Sequence, residues 1–148
     1  MSLKINPKKF LVIGSNSFSG SHFVNQLLLK GNQVCGVSRS AEPDKVFLPY
    51  KWGENIVQIN DSKKTIDNFK FYSLDLNTCI NKIDNLLDEF QPEYVVNFAS
   101  QGMVAQSWLN PTHWYQTNVV SQVALHDVLR KKNFLKKYVH VTTPEVYG

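Results

Sequence analysis

Only two cysteines, Cys35 and Cys79, occur in the 148 residues. That is too few for a disulfide framework or a cysteine-built metal centre. Each falls in an apolar-patterned segment, where a buried free thiol is expected. The histidines His22, His113, His126 and His140 show no metal-ligand spacing and no paired nucleophile, so they read as structural or surface residues. No apolar run approaches the roughly 20 residues of a membrane helix. The first run, Phe10 to Ile13, is too short for a secretory h-region. These absences point to a soluble, cytoplasmic protein. No basic stretch interleaves with stacking aromatics, which removes the usual nucleic-acid pattern. There is no internal repeat, linker or low-complexity segment.

What is present is an ordinary globular mixture, 43% hydrophobic and 19% charged, with enough apolar side chains for one packed domain. The formal net charge is +4, from 16 basic and 12 acidic residues. Short clusters such as Lys8-Lys9 and Arg130-Lys131-Lys132 read as solvated surface; a phosphate-rich ligand would also suit them.

The apolar pattern alternates between two periods. Phe10 to Ile13 reads as a strand, followed by a turn from Gly14 to Gly20. A helix follows with its stripe at Phe23, Val24, Leu27 and Leu28, stopped by Gly31. Further strands are expected at Gln33–Val37, Phe69–Leu74, Tyr94–Phe98 and Tyr138–Val141. Asn77 and Thr78 are candidate caps for a helix striped by Ile80, Ile83, Leu86, Leu87 and Phe90 and stopped by Pro92. After Asn110-Pro111 a long helix is expected, with Val120, Val123, Ala124 and Val128 on its apolar face. Residues 40–68 read as a long excursion with a possible strand at Ile56–Ile59. Strands alternating with helices predict an α/β fold with a doubly wound parallel sheet, a Rossmann fold ending after its fifth strand.

The turn Gly14-Ser-Asn-Ser17-Phe18-Ser-Gly20 carries the chemistry. Gly14 allows a tight exit from the strand, and a small residue at Ser17 lets the backbone approach a diphosphate. Gly20 allows close packing of the helix. With Phe18 at the helix start, the free N–H groups and partial positive charge there suit phosphate. At the end of the second strand stand Ser38-Arg39-Ser40, with no acid before Glu42. A basic residue here suits a 2′-phosphate, and both serines can donate to phosphate. The expected cofactor is therefore NADP, with NAD as the alternative.

The order of this turn, Leu74-Asp75-Leu76, Asn97-Phe-Ala-Ser-Gln101 and Thr142-Thr143-Pro144-Glu145-Val146-Tyr147-Gly148 resembles the extended short-chain dehydrogenase/reductases. Within them it resembles the nucleotide-sugar epimerases and 4,6-dehydratases, along the whole chain. The resemblance implies that residues 1–148 are the dinucleotide-binding domain. It places Asp75 against the adenine amino group and Leu76 beside the ring. Ala99, Ser100 and Gln101 would line the nicotinamide side, next to Thr142. Asn118 would tie neighbouring backbone. Thr143 would hydrogen-bond the sugar O4, and Glu145 would remove the C5 proton. In the implied 4,6-dehydration, hydride leaves sugar C4, water is lost across C5 and C6, and hydride returns to C6. The implied partners are a nucleotide-diphosphate sugar and, in the full-length protein, a second copy in a homodimer.

Three departures stand beside the resemblance. Pro144 occupies a place where one dehydratase branch has a proton-donating Asp, and Gly102-Met103 replaces a common Ser-His pair. No Tyr-x-x-x-Lys occurs in these residues, and neither do the sixth strand and the C-terminal substrate domain that the family carries. The expectation is an N-terminal part that does not turn over alone. A 4-epimerase or reductase of the same fold, or a non-catalytic NADP-binding module, are the competing readings. Trp108, Trp114 and Tyr115 read as core or loop packing, with a sugar pocket or a dimer seam as the alternative.

Overall fold

The five apolar runs become five parallel strands. The computed structural model describes residues 6–52 and 66–142. The strands are β1 (Lys9–Ile13), β2 (Gln33–Ser38), β3 (Phe69–Ser73), β4 (Tyr94–Asn97) and β5 (Lys137–His140). They form one sheet in the order β3-β2-β1-β4-β5. The helices are α1 (Phe18–Leu29), α2 (Ile80–Phe90), α3 (Val104–Leu109), α4 (Pro111–Tyr115) and α5 (Ser121–Leu129). This is the expected Rossmann-like arrangement. The chain steps outward from β1 to β3 and then returns to the other side of β1, so the order reverses between β1 and β4.

Strand geometry puts successive side chains on opposite faces, and β1 serves both. Leu11 and Ile13 join Val37, Ile83, Leu87, Val95 and Leu125 in one core cluster, beneath α2 and α5. Val12 joins Val24, Leu28 and Val34 in the other, beneath α1. Burial of each large aliphatic side chain contributes about 1.5–3 kcal/mol. The excursion after β2 contributes to the second cluster. Leu48, between 3-10 turns at Lys45–Phe47 and Pro49–Lys51, and Tyr50, within the second turn, are fully buried there. The Tyr50 hydroxyl donates to Glu42 Oε1 at 2.7 Å. The strand expected at Ile56–Ile59 lies outside the described residues.

Four expectations need correction. Neither Asn77 nor Thr78 caps α2: the cap position is Cys79, with no side-chain hydrogen bond. Asp75 closes that turn instead, accepting from the Asn77 N–H at 2.9 Å and, through its carbonyl, from Thr78 and Cys79. The end of α2 is as expected: the helix runs to Phe90, and its cap Gln91, in the left-handed region (φ 51°), directly precedes Pro92. The long helix after Pro111 is in fact α4, a π-helical turn (Gln116–Val120) and α5. Its buried face is Ser121, Gln122, Leu125 and Leu129, while Val120 and Val123 are exposed. Cys35 is buried as expected and its thiol is pushed up to about 12 by burial, but Cys79 is only half-buried. Trp108 and Tyr115 do not pack: they are 84% and 69% exposed.

Candidate functional site

The glycine turn is held almost wholly by its own backbone and by the strand beside it. The Gly14 N–H donates to Val37 O at 2.7 Å, and Ser15 N–H reaches the same carbonyl. Gly14 has φ +79°, and a Cβ on it would stand 2.9 Å from Ala99 N and Phe98 C. Only glycine fits between β1 and the loop after β4. A Cβ on Gly20 would meet Gly14 O at 2.2 Å, so that position fixes how closely α1 approaches the turn.

Ser17 stands where the motif's middle glycine belongs, and its backbone explains why serine is accepted. It is extended, φ −69° and ψ 159°, which strains no side chain. Its hydroxyl donates to Gly14 O at 2.7 Å and accepts from Gly20 N–H at 3.0 Å. Ser17 is thus the N-cap of α1. The N–H groups of the first helical turn have no intrahelical acceptor, and Gly20 is satisfied by this cap. Phe18 and Ser19 are exposed beside it.

Two cavities open from the turn. The smaller, about 270 Å³, is lined by Gly14, Asn16, Ser38, Arg39, Ser40, Asp75 and Leu76 among others. The larger, about 800 Å³, is lined by Phe18, Ser19, Trp114, Asn118, His140 and Thr142 among others. They share Ser17 and the loop Phe98, Ala99, Ser100 and Gln101. The structure therefore gathers Gly14, Ser17, Phe18, Ser38, Arg39, Ser40, Asp75, Leu76, Ala99, Ser100, Gln101 and Thr142 around two adjoining spaces. Gly20 lines neither and acts through packing. Thr143 and Glu145 lie outside the described residues.

Roles within the group are uneven. Ser38 is buried and its hydroxyl accepts from Asn16 N–H at 2.9 Å while facing Ser15 Oγ. It therefore braces the turn, which leaves Arg39 and Ser40 as the exposed pair at the β2 end. Arg39 makes no ion pair among the described residues. Leu76 is buried and belongs to the α2 and α5 core cluster.

The loop after β4 is held by side chains, several of which sequence reasoning did not single out. Asn97 is fully buried: its Oδ1 accepts from Ala99 N–H at 2.8 Å, and its Nδ2 donates to Gln122 Oε1 at 2.7 Å and to the Tyr138 hydroxyl at 3.2 Å. Gln122 Nε2 donates to Ala99 O and to Thr117 O, each at 3.2 Å. Asn118 grips Gln101, accepting from its N–H at 2.8 Å and donating to its carbonyl at 3.0 Å, in line with the backbone-tying role expected of it. Asn77 Nδ2 donates to Thr117 Oγ1, and the Ser121 hydroxyl donates to Asn77 Oδ1. The available signal was a polar residue closing an apolar strand and a glutamine beside an apolar stripe. Both indicate a buried hydrogen-bond network, because unpaired burial is costly.

On the larger cavity's wall, His140 Nδ1 lies 3.3 Å from the Tyr138 hydroxyl. Burial, and then the nearby His126, hold His140 below the ordinary imidazole range. Among the described residues no group of three or more His, Cys, Asp or Glu side chains forms a metal cluster.

The chain that carries this Gly-rich turn, with cavities above the carboxyl ends of β1 and β4, also matches a known family model. The model for GDP-mannose 4,6 dehydratase covers residues 11–148. The chain belongs to this family, one of the epimerase and dehydratase families of the extended short-chain dehydrogenase/reductases. It is 31% identical to UDP-glucose 4-epimerase GEPI42 of Cyamopsis tetragonoloba, over 93% of this chain and 37% of that protein. It is 28% identical to GDP-mannose 4,6-dehydratase of Vibrio cholerae, over 97% of this chain and 37% of that protein. The solved UDP-glucose 4-epimerase of Bifidobacterium longum, in complex with NAD+ and UDP, superposes with a TM-score of 0.74 at 26% identity. That match covers 95% of this chain and 38% of the solved one. The chain thus spans under two fifths of these relatives, the N-terminal part. The family includes both dehydratases and 4-epimerases.

Proposed function

We propose that this chain is the cofactor-binding part of a nucleotide-sugar 4,6-dehydratase that uses NADP. The observation that carries the reading is the junction of the two cavities at Ser17 and the Phe98–Gln101 loop. It lies where the strand order reverses, the place at which open α/β sheets bind ligands. The residues fit a dinucleotide: the crowding at Gly14 and Gly20 leaves a tight turn whose helix N-terminus suits a diphosphate. Arg39, Ser40, Asp75 and Leu76 would hold the adenosine half, with Arg39 toward a 2′-phosphate. Ala99, Ser100, Gln101 and Thr142 would flank the nicotinamide. When bound, that group supplies reversible hydride exchange at the sugar carbon.

Thr143 would hydrogen-bond the sugar O4. Glu145, as a carboxylate, would take the C5 proton that a neighbouring ketone acidifies. Proline can donate no proton, so Pro144 leaves the C6 hydroxyl to receive its proton from the Glu145 carboxyl. One side chain then accepts and returns the same proton as water departs.

The test is product analysis on the full-length protein supplied with nucleotide-diphosphate sugars. A 4-keto-6-deoxy product, which absorbs strongly in alkali, is expected, and Glu145→Gln should abolish it. A C4 epimer formed equally well by Glu145→Gln would replace this reading with the epimerase one, which the 31% identical relative favours. Homodimerisation is proposed through the exposed apolar side of the 104–123 segment, which includes Trp108, Leu109, Tyr115 and Val123. Sedimentation of Val123→Glu against the parent protein tests it, and an unchanged dimer would refute it.

A further inference from the structure

The loop after β4 is held at alternate residues. Both backbone groups of Ala99 are taken, its N–H by Asn97 Oδ1 and its carbonyl by Gln122 Nε2. Both backbone groups of Gln101 are taken by the Asn118 side chain. Ser100, between them, is exposed and lines both cavities. The three gripping side chains come from two places only, the end of β4 and the segment from the π-helical turn into α5. A π-helical turn inside a helix frequently marks a functional position, and here it carries Asn118 and places Thr117 O to accept from Gln122.

We infer that Asn97, Gln122 and Asn118 are positioning residues. They fix the Ala99–Gln101 loop in its ligand-binding shape before any ligand arrives, with Ser100 presented to the cavities. The inference rests on the proposed dinucleotide site. Its physical basis is that a loop ordered in advance need not lose conformational freedom on binding, which raises affinity without a new contact. A half-ligand that meets the loop only from the smaller cavity gains less from the grip than one that spans both cavities. ADP contains the adenosine and diphosphate but no nicotinamide, so it reports the smaller cavity without the larger.

The experiment is calorimetric titration of the full-length protein with NADP, NAD and ADP, on the parent, Asn118→Ala and Gln122→Leu. Asn118 is exposed, so its replacement spares the core should Gln122→Leu fail to fold. Each folded variant should lose about tenfold or more in affinity for the dinucleotides and several-fold less than that for ADP. Equal losses for ADP and the dinucleotides, or no loss for either, would overturn the inference. So would parent protein that binds ADP and both dinucleotides equally, because the loop would then not meet the nicotinamide half. Parent protein that binds none of the three fails at the earlier step and overturns the proposed site along with the inference.

Discussion

The two sides of the candidate site are built in opposite ways. The glycine turn is made of contiguous residues whose conformation is set mainly by backbone hydrogen bonds, the Ser17 cap and the lack of a Cβ at Gly14 and Gly20, with the Ser38 hydroxyl as a brace from the neighbouring strand. The loop after β4 is made of residues with no special backbone demand, held by side chains from up to 23 positions away. A local device tolerates change elsewhere but not within itself. A long-range device depends on residues that never touch a ligand.

The largest effect should come from within the turn. Gly20→Ala drives a methyl group against Gly14 O, a backbone atom that can yield only by shifting the turn. We expect a loss of about 2–3 kcal/mol of stability in denaturant unfolding, together with loss of dinucleotide binding. A variant that retained parent stability would show that the turn is slack, and the contrast would fail. Gln122→Leu should come next, at about 1–3 kcal/mol, since it leaves buried partners of the network unpaired. The same unfolding titration measures it, and an unchanged midpoint would mean that the network contributes only direction.

Arg39→Ala should hardly alter stability, because the side chain is exposed. It should weaken NADP by about tenfold, roughly the loss of one charge-assisted contact, and leave NAD nearly unchanged. Comparable affinities before and after would remove the NADP preference. The smallest effect should be that of pH. The folded-state pKa of His140 lies below its ordinary value, so the unfolded chain binds the proton more readily. Stability should therefore hold above the ordinary imidazole range and decline as pH falls through it toward the folded value. His140→Asn should flatten that part of a Tm-against-pH profile; an identical slope would assign the decline to other groups.

Part of this was legible without coordinates. Phe10 to Ile13 followed by Gly14 and Gly20 announces strand, turn and helix because those residues act on the backbone within a few positions. The same locality explains why Gly31 was a reliable stop for α1. Legibility ended where partners are distant. Asn77 looks like a cap until Thr117 and Ser121 are seen beside it. Val120 and Val123 look like a core stripe because periodicity gives spacing but not which face meets the sheet. Ser38 looks like a phosphate ligand until Asn16 and Ser15 are found against its hydroxyl.

By itself, then, the sequence determined the alternation of strands and helices and the glycine turn, since each depends on local propensity, period or the absence of a Cβ. Only the tertiary structure decided that β4 returns beside β1, that two cavities meet at Ser17, and that Asn97, Gln122 and Asn118 grip one loop. Those outcomes depend on which buried polar groups find partners across the fold, and a buried hydrogen bond is specified by position in space rather than by spacing along the chain.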